Sequence, residues 1–283
     1  MSILYFWMIM IVFILLILLI LFILLTLYSR NSKKEEKEKI EKRGILPLRV
    51  YCISLEERRD RRDAFLKRME DRKNRKYMSF LEIEMVNAVP YSSLTNSYFA
   101  TKEMTCMTPG ALGCLLSHMY VCLKFLSTRQ PLALVMEDDA ECVSSSLFSI
   151  LQEINKDYLH SFSSPSFSVQ NYRILGKYDL LFLGVTFCVK DEKVCDWWMN
   201  FPLSASDIRD IRDENEFSYL FGTHAYLMTQ RSANLIISQV LPLKKHYDMF
   251  LSDPELWKKF DLKCGVLTKS ICMPVNPYDS NTN

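Results

Sequence analysis

The chain has 283 residues, 49% of them hydrophobic and 24% charged, and its 35 basic and 33 acidic side chains leave a formal net charge of +2. So small an excess gives no sign of nucleic-acid binding. The basic residues gather in one short flank and the helix after it, where a solvated face or acidic lipid head groups account for them. Beyond an apolar head of about 28 residues, some 255 remain, enough for a core-bearing α/β domain.

From Ile3 to Tyr28 there is no charge, and the run exceeds the roughly 20 apolar residues that cross a bilayer as a helix. It lacks the basic start, short apolar stretch and small-residue cleavage site of a cleaved signal peptide. Residues 1–28 are therefore expected to be a transmembrane anchor and 29–46 a charged stem, with residues 47–283 as the folded domain. The flank from Arg30 to Arg43 is basic, and by the positive-inside tendency it puts that domain in the cytosol. The lack of any Asn-x-Ser/Thr sequon and nine cysteines, an odd number with no evident paired framework, lean the same way without excluding a lumenal domain. Cys52, Cys114 and Cys122 sit in apolar runs and read as buried free thiols.

Within the domain, Leu48–Ile53 is strand-like. Glu56 to Arg75 is a charged segment with Phe65, Leu66 and Met69 at helical spacing, and Phe80–Val86 alternates as a half-buried strand does. After a polar loop from Pro90 to Thr108, Pro109-Gly110 opens a helix over Ala111–Leu126, with Leu112, Leu115, Leu116, Met119, Leu123 and Leu126 on one side. Leu132–Met136 is a continuous apolar run, as in a strand buried on both faces. Serine clusters at Ser144–Ser146 and Ser161–Ser168 bracket a further helix. Tyr178–Gly184 reads as a core strand, Cys188–Glu216 as an irregular substrate-side loop or lid, Phe217–Met228 as a strand and Arg231–Val240 as a helix. Strands alternating with helices predict an α/β sheet.

The buried run ends in Glu137-Asp138-Asp139. Taken alone, such a triplet reads first as a solvated turn capping the following helix. At the carboxyl end of a buried strand, however, it stands where open α/β sheets place their ligand crevice, and packed carboxylates are relieved by a hard cation such as Mg²⁺ or Mn²⁺. A metal-dependent phosphotransferase or nuclease could use the same triplet, but it would want further acids on adjacent strands. Cys114, His118 and Cys122 fall on one helical stripe, but no CxxC or second His cluster completes a closed zinc site.

Several segments, in order, resemble glycosyltransferase family 25, which includes lipooligosaccharide and procollagen galactosyltransferases. Val50–Leu55 with Arg58 and Arg61 is similar to the family's opening "INL-x-x-R-x-x-R", and Asn87-Ala88-Val89 to its "x-A-V". Gly110–His118 resembles "GEIGCxLSH", and Leu134–Asp139 resembles "LVLEDD", followed by Leu181–Gly184. Gly222–Tyr226 is similar to "GTxAY" and Asp248–Leu251 to "PVDxFL". Ser54 stands where the family usually has Asn, Ala111 where it has Glu, and His246-Tyr247 where it has Pro-Val.

The resemblance implies a GT-A-type, Rossmann-like mixed sheet with flanking helices, and an inverting, metal-dependent transfer of a hexose, galactose foremost, from a UDP-sugar to a glycan or protein hydroxyl. It also implies a Golgi or endoplasmic reticulum lumen, against the flank. Glu137 and Asp139 are expected to hold Mn²⁺ or Mg²⁺. Ser54, Arg58, Arg61, Ala88, Val89, Ser117, His118 and Asp138 are expected to bind the donor, with Ser117 and His118 as hydrogen-bond donors to phosphate or ribose. Asp248 is expected to be the base. Trp197 and Trp198 could stack on an acceptor sugar. The rival reading is a catalytically silent, membrane-tethered adhesion or scaffold protein with the same fold, favoured by Ala111 and opposed by the three retained acids.

Overall fold

The apolar run ahead of the three acids is a central strand, and the fold is most easily built outward from it. The computed structural model describes residues 48–70, 81–93, 108–128, 130–142, 144–162, 166, 168–185, 187–188, 208–211, 220–241, 246–267 and 270–275. All of these belong to the unit that begins at Pro47. The expected anchor and stem lie outside the described residues, as do Trp197, Trp198 and most of the expected lid.

Strand β1 (Leu48–Ser54) pairs in parallel with β2 (Leu81–Asn87) on one side and β3 (Leu132–Glu137) on the other. Next to β3, and running against it, lies β9 (Ala225–Thr229), which also runs against β5 (Leu180–Phe182). Strand β10 (Cys264–Leu267) is parallel to β5, and the edge strand β7 (Ile208–Asp210) is antiparallel to β10. The result is a seven-stranded mixed sheet in the order β2-β1-β3-β9-β5-β10-β7. Two short ribbons join β4 (Ala140–Cys142) to β11 (Cys272–Pro274), and β6 (Phe187–Cys188) to β8 (Leu220–Phe221).

Alternation along the central strands divides the core in two, because successive side chains of a strand point to opposite faces. Ala133 and Val135 face the side covered by α2 (Pro109–Leu126) and α4 (Gln230–Gln239). Leu134 and Met136 face the side covered by α1 (Arg59–Glu70) and α3 (Ser144–Phe162). Each helix presents a buried stripe at helical spacing: Phe65 and Met69 on α1, Leu115, Val121 and Phe125 on α2, Leu147, Ile150 and Ile154 on α3. Helix α2 is long and apolar enough to cross a membrane by composition, but half of it is buried against this sheet. It starts two residues ahead of its sequence prediction, where Thr108 Oγ1 accepts the Ala111 N–H and Pro109 occupies the first turn.

Three expectations change in detail. Ser144–Ser146 begin α3 instead of standing before it. The predicted strand 217–228 is broken into β8 and β9 by a turn at Gly222, whose φ is 100°. Part of the segment expected to be irregular, Ile208–Asp210, is an edge strand of the sheet. Helices α5 (Tyr247–Leu251) and α6 (Pro254–Lys259), with β10 and β11, follow among the described residues beyond what periodicity indicated.

No paired framework is evident in the cysteine spacing, yet Cys142 and Cys272 form a disulfide. Cys52, Cys114, Cys122 and Cys264 are free. Cysteine spacing could not reveal a pair separated by 130 residues, brought together only once β4 and β11 are in register. The segment around Cys272 works as a strap. Leu183 O accepts the N–H groups of Ile271 at 2.8 Å and Cys272 at 3.1 Å, and Asp139 O accepts the Val275 N–H at 2.8 Å. The strap crosses so close to β5 that a Cβ on Gly184 would lie 1.6 Å from the Cys272 carbonyl oxygen. Glycine is required there for contact, not for conformation.

At the opposite end of the sheet, Asp179 is fully buried. Its Oδ2 accepts the Lys263 N–H at 2.9 Å, and Arg231 Nη1 lies 3.3 Å from Oδ1. Burial raises the pKa of this carboxyl, with the Lys263 N–H and the guanidinium groups of Arg231 and Arg173 opposing. Asp179→Ala leaves those donors without their acceptor and is expected to lower unfolding stability by about 2–3 kcal/mol. The loss would be read as a fall in urea midpoint, with a smaller loss for Asp179→Asn, which keeps an acceptor for Lys263.

Candidate functional site

Because β9 runs against β3 and β5, the turn that enters it meets the carboxyl ends of both. Glu137 N–H donates to His224 O at 2.9 Å, Asp138 N–H to Ile53 O at 3.1 Å, and Ala88 N–H to Ser54 O at 2.8 Å. One crest therefore carries the ends of β1, β2 and β3 and the Gly222-Thr223-His224 turn. This is the edge at which sheets of this kind bind ligands.

The three acids have different surroundings. Asp138 is buried, accepts from Ser54 Oγ at 2.7 Å through Oδ2, and faces Arg61 Nη1 at 3.4 Å through Oδ1. It ties β1, α1 and β3 together. Glu137 Oε1 accepts from Thr223 Oγ1 at 2.6 Å and lies 3.3 Å from His118 Nε2. Asp139 Oδ2 is 3.6 Å from Arg61 Nη1, while its Oδ1 is buried with no hydrogen-bond partner among the described residues. An orphaned carboxylate oxygen is costly to bury, and a cation is a common reason for one.

The electrostatics follow. Burial and the neighbouring charges of Glu137 and Asp138 raise the pKa of Asp139, and Arg61 only partly offsets them. For Glu137 burial also opposes ionisation, but His118, His224 and Thr223 outweigh it and hold the carboxyl below the usual range. Burial lowers the pKa of His224, with Glu137 and Asp248 opposing, which favours the neutral imidazole that ligates metals. Ligating atoms of Glu137, Asp139 and His224 all lie within 4.8 Å of one another. Two carboxylates with an imidazole suit Mn²⁺ better than Mg²⁺, which prefers oxygen ligands alone, so the residues present fit a divalent cation.

Of the residues expected to bind the donor, Ser54, Arg61 and Asp138 meet on the crest. Arg58 is turned to Asp60 at 2.9 Å, while Arg62 Nη2 donates to Ser54 O at 2.9 Å and to Asn87 Oδ1 at 2.7 Å. Ala88 and Val89 line the crest half-buried, but their N–H groups are engaged: Val89 N–H donates to Ser117 Oγ at 2.8 Å. Ser117 and His118 depart from expectation. Both are fully buried: Ser117 Oγ donates to Gly113 O at 2.6 Å, and the ring nitrogens of His118 lie beside Tyr226 OH and Glu137 Oε1. Asp248 receives the Gly222 N–H at 3.2 Å and the Met249 N–H at 2.8 Å, and so shapes the turn that carries Thr223 and His224. Ala111 is buried in the first turn of α2.

Sequence reasoning missed Thr223 and His224 as site residues, though both lie inside the "GTxAY"-like segment. Their role appears only when β9 is placed antiparallel to β3. The contribution of Arg68, whose Nη2 donates to Asp138 O at 2.6 Å, was equally hidden. A spacing of seven residues from Arg61 puts both arginines over the crest, two helical turns apart.

A sequence model of glycosyltransferase family 25 (LPS biosynthesis protein) matches residues 48–251. No match was found among curated proteins. The matched stretch runs from the start of β1 to the end of α5 and contains every crest residue.

Ser54→Ala removes the hydroxyl donor from a buried carboxylate, and is expected to lower stability by about 1–2 kcal/mol. Chemical denaturation would read this loss; an unchanged midpoint would mean that Asp138 is held by Arg61 and the Ile53 carbonyl contact alone.

Proposed function

The chain belongs to glycosyltransferase family 25, and from that premise we propose that it transfers a hexose, galactose foremost, from a UDP-sugar to a hydroxyl of a glycan or protein, with inversion. The observation that carries the reading is the orphaned Asp139 Oδ1 beside Glu137 and His224. These three residues would hold Mn²⁺ or Mg²⁺. Their charge-neutralising contribution to the leaving diphosphate would come through that cation when bound. The alternation of parallel strands with an inserted antiparallel one supports a GT-A-type fold.

The protein's own groups divide the remaining work. Arg61, already between Asp138 and Asp139, is within reach of a diphosphate on the crest and would share its charge. Asp138 and Ser54 keep that arginine and the acidic turn in register. Asp248 is the base in this reading. Each of its oxygens accepts one backbone N–H and retains a second lone pair, enough to take the proton of an acceptor hydroxyl. As that hydroxyl bonds to the anomeric carbon, the bond to the diphosphate breaks on the opposite face.

We also propose that the domain works on an oxidising side of a membrane, the lumen. The Cys142–Cys272 disulfide supports this against the basic flank, because such bonds persist where thiols are not kept reduced.

Turnover of UDP-hexoses by the full chain in detergent, with and without Mn²⁺, tests the reaction. Asp139→Asn is expected to abolish turnover with little change in melting temperature, and Asp248→Asn to slow it about a hundredfold or more while donor binding survives. Unfolding of either variant would mark a structural clamp instead, and failure to bind any nucleotide sugar would favour the silent scaffold. On sealed membranes, the domain is expected to resist added protease until detergent is present; digestion without detergent would put it in the cytosol.

A further inference from the structure

Behind the crest, four side chains form one hydrogen-bonded line. Tyr247 OH lies 3.1 Å from Tyr226 OH, Tyr226 OH lies 2.9 Å from His118 Nδ1, and His118 Nε2 lies 3.3 Å from Glu137 Oε1. His118 and Tyr226 have no exposed surface, and Tyr247 is 3% exposed. The His118 ring stacks on Tyr247 at 4.5 Å with 21° between planes. This line leaves little freedom to its members.

Its direction follows from the chemistry at one end. An ionised carboxylate only accepts, so His118 Nε2 carries the proton that reaches Glu137. With that proton alone on the ring, Nδ1 accepts from Tyr226 OH, and the Tyr226 oxygen accepts from Tyr247 OH. Thr223 Oγ1 donates to the same Oε1 at 2.6 Å, so that oxygen is held from two sides. The hydrogen bonds that His118 and Thr223 make to Glu137 both end on Oε1, which leaves Oε2 for the crest.

We propose that His118 is a positioning residue, which turns Glu137 so that Oε1 is tied inward and Oε2 faces a cation shared with Asp139 and His224. This rests on the metal reading given above. Full burial excludes His118 from touching donor or acceptor, so its effect passes through Glu137. Residues that orient a metal ligand in this way commonly alter affinity by about 10- to 100-fold when replaced.

The test is Mn²⁺ binding by the full chain in detergent, followed by titration calorimetry and by the loss of free Mn²⁺ signal in electron paramagnetic resonance. His118→Phe keeps the ring stack on Tyr247 and removes both nitrogens; it is expected to weaken Mn²⁺ binding about tenfold or more. His118→Gln keeps an N–H donor and is expected to recover part of the loss, which a purely space-filling role would not predict. Tyr226→Phe leaves Glu137 untouched and removes the donor to Nδ1; it should weaken binding in the same direction by a smaller factor, and it decides the matter if His118→Phe does not fold. Wild-type affinity in folded His118→Phe, or in Tyr226→Phe where the former does not fold, would overturn the positioning role while leaving the metal site standing. No Mn²⁺ binding by the wild-type chain would overturn the metal reading, and the positioning role with it.

Discussion

Everything at the crest depends on one strand running the wrong way. A sheet of parallel strands brings only carboxyl ends to its functional edge, each followed by its own loop. By inserting β9 antiparallel between β3 and β5, the fold delivers a strand entrance to that same edge. The entrance brings Thr223 and His224 to Glu137, where neither could come from a strand end. The Gly222 turn and its Asp248 clamp exist to make that entrance tight.

The second dependence is electrostatic. Three carboxylates in a row repel one another, and the chain answers with arginines from α1. Arg61 stands between Asp138 and Asp139, Arg68 holds the backbone of Asp138, and Arg62 holds the end of β1. These basic residues, which in sequence resemble an ordinary solvated helix face, have inward partners. The balance is uneven: Asp138 is satisfied on both oxygens, whereas Asp139 retains an orphan. Charge at the crest is therefore compensated in bulk and left uncompensated at one atom.

Much of this is legible in the amino-acid sequence. The buried run Leu132–Met136, the stripe of α2 and the acids at the strand end follow from periodicity and position, because those signals are local. The helix over Arg231–Val240 and the domain's opening strand and helix come from the same source. What escapes reading is what depends on distant partners. Ser117 and His118 look like ligand-facing polar groups in sequence, yet one ties α2 to the Val89 backbone and the other faces Glu137 from behind. Isolated polar residues in an apolar helix carry no sign of which way they will turn. The edge strand β7 escapes because Ile208–Asp210 has no apolar pattern and pairs only at the sheet's margin.

The bridge between Cys142 and Cys272 also sets an order of events during synthesis. Cys142 leaves the ribosome 130 residues ahead of its partner, and Cys188, Cys195 and Cys264 emerge in between. Each is an available wrong partner for a waiting thiol. The acidic turn is thus made early and secured late, when the strap passes over Gly184 and binds the carbonyl of Asp139. A nascent chain therefore carries every crest residue before the bond that ties down the strap over Asp139 can form.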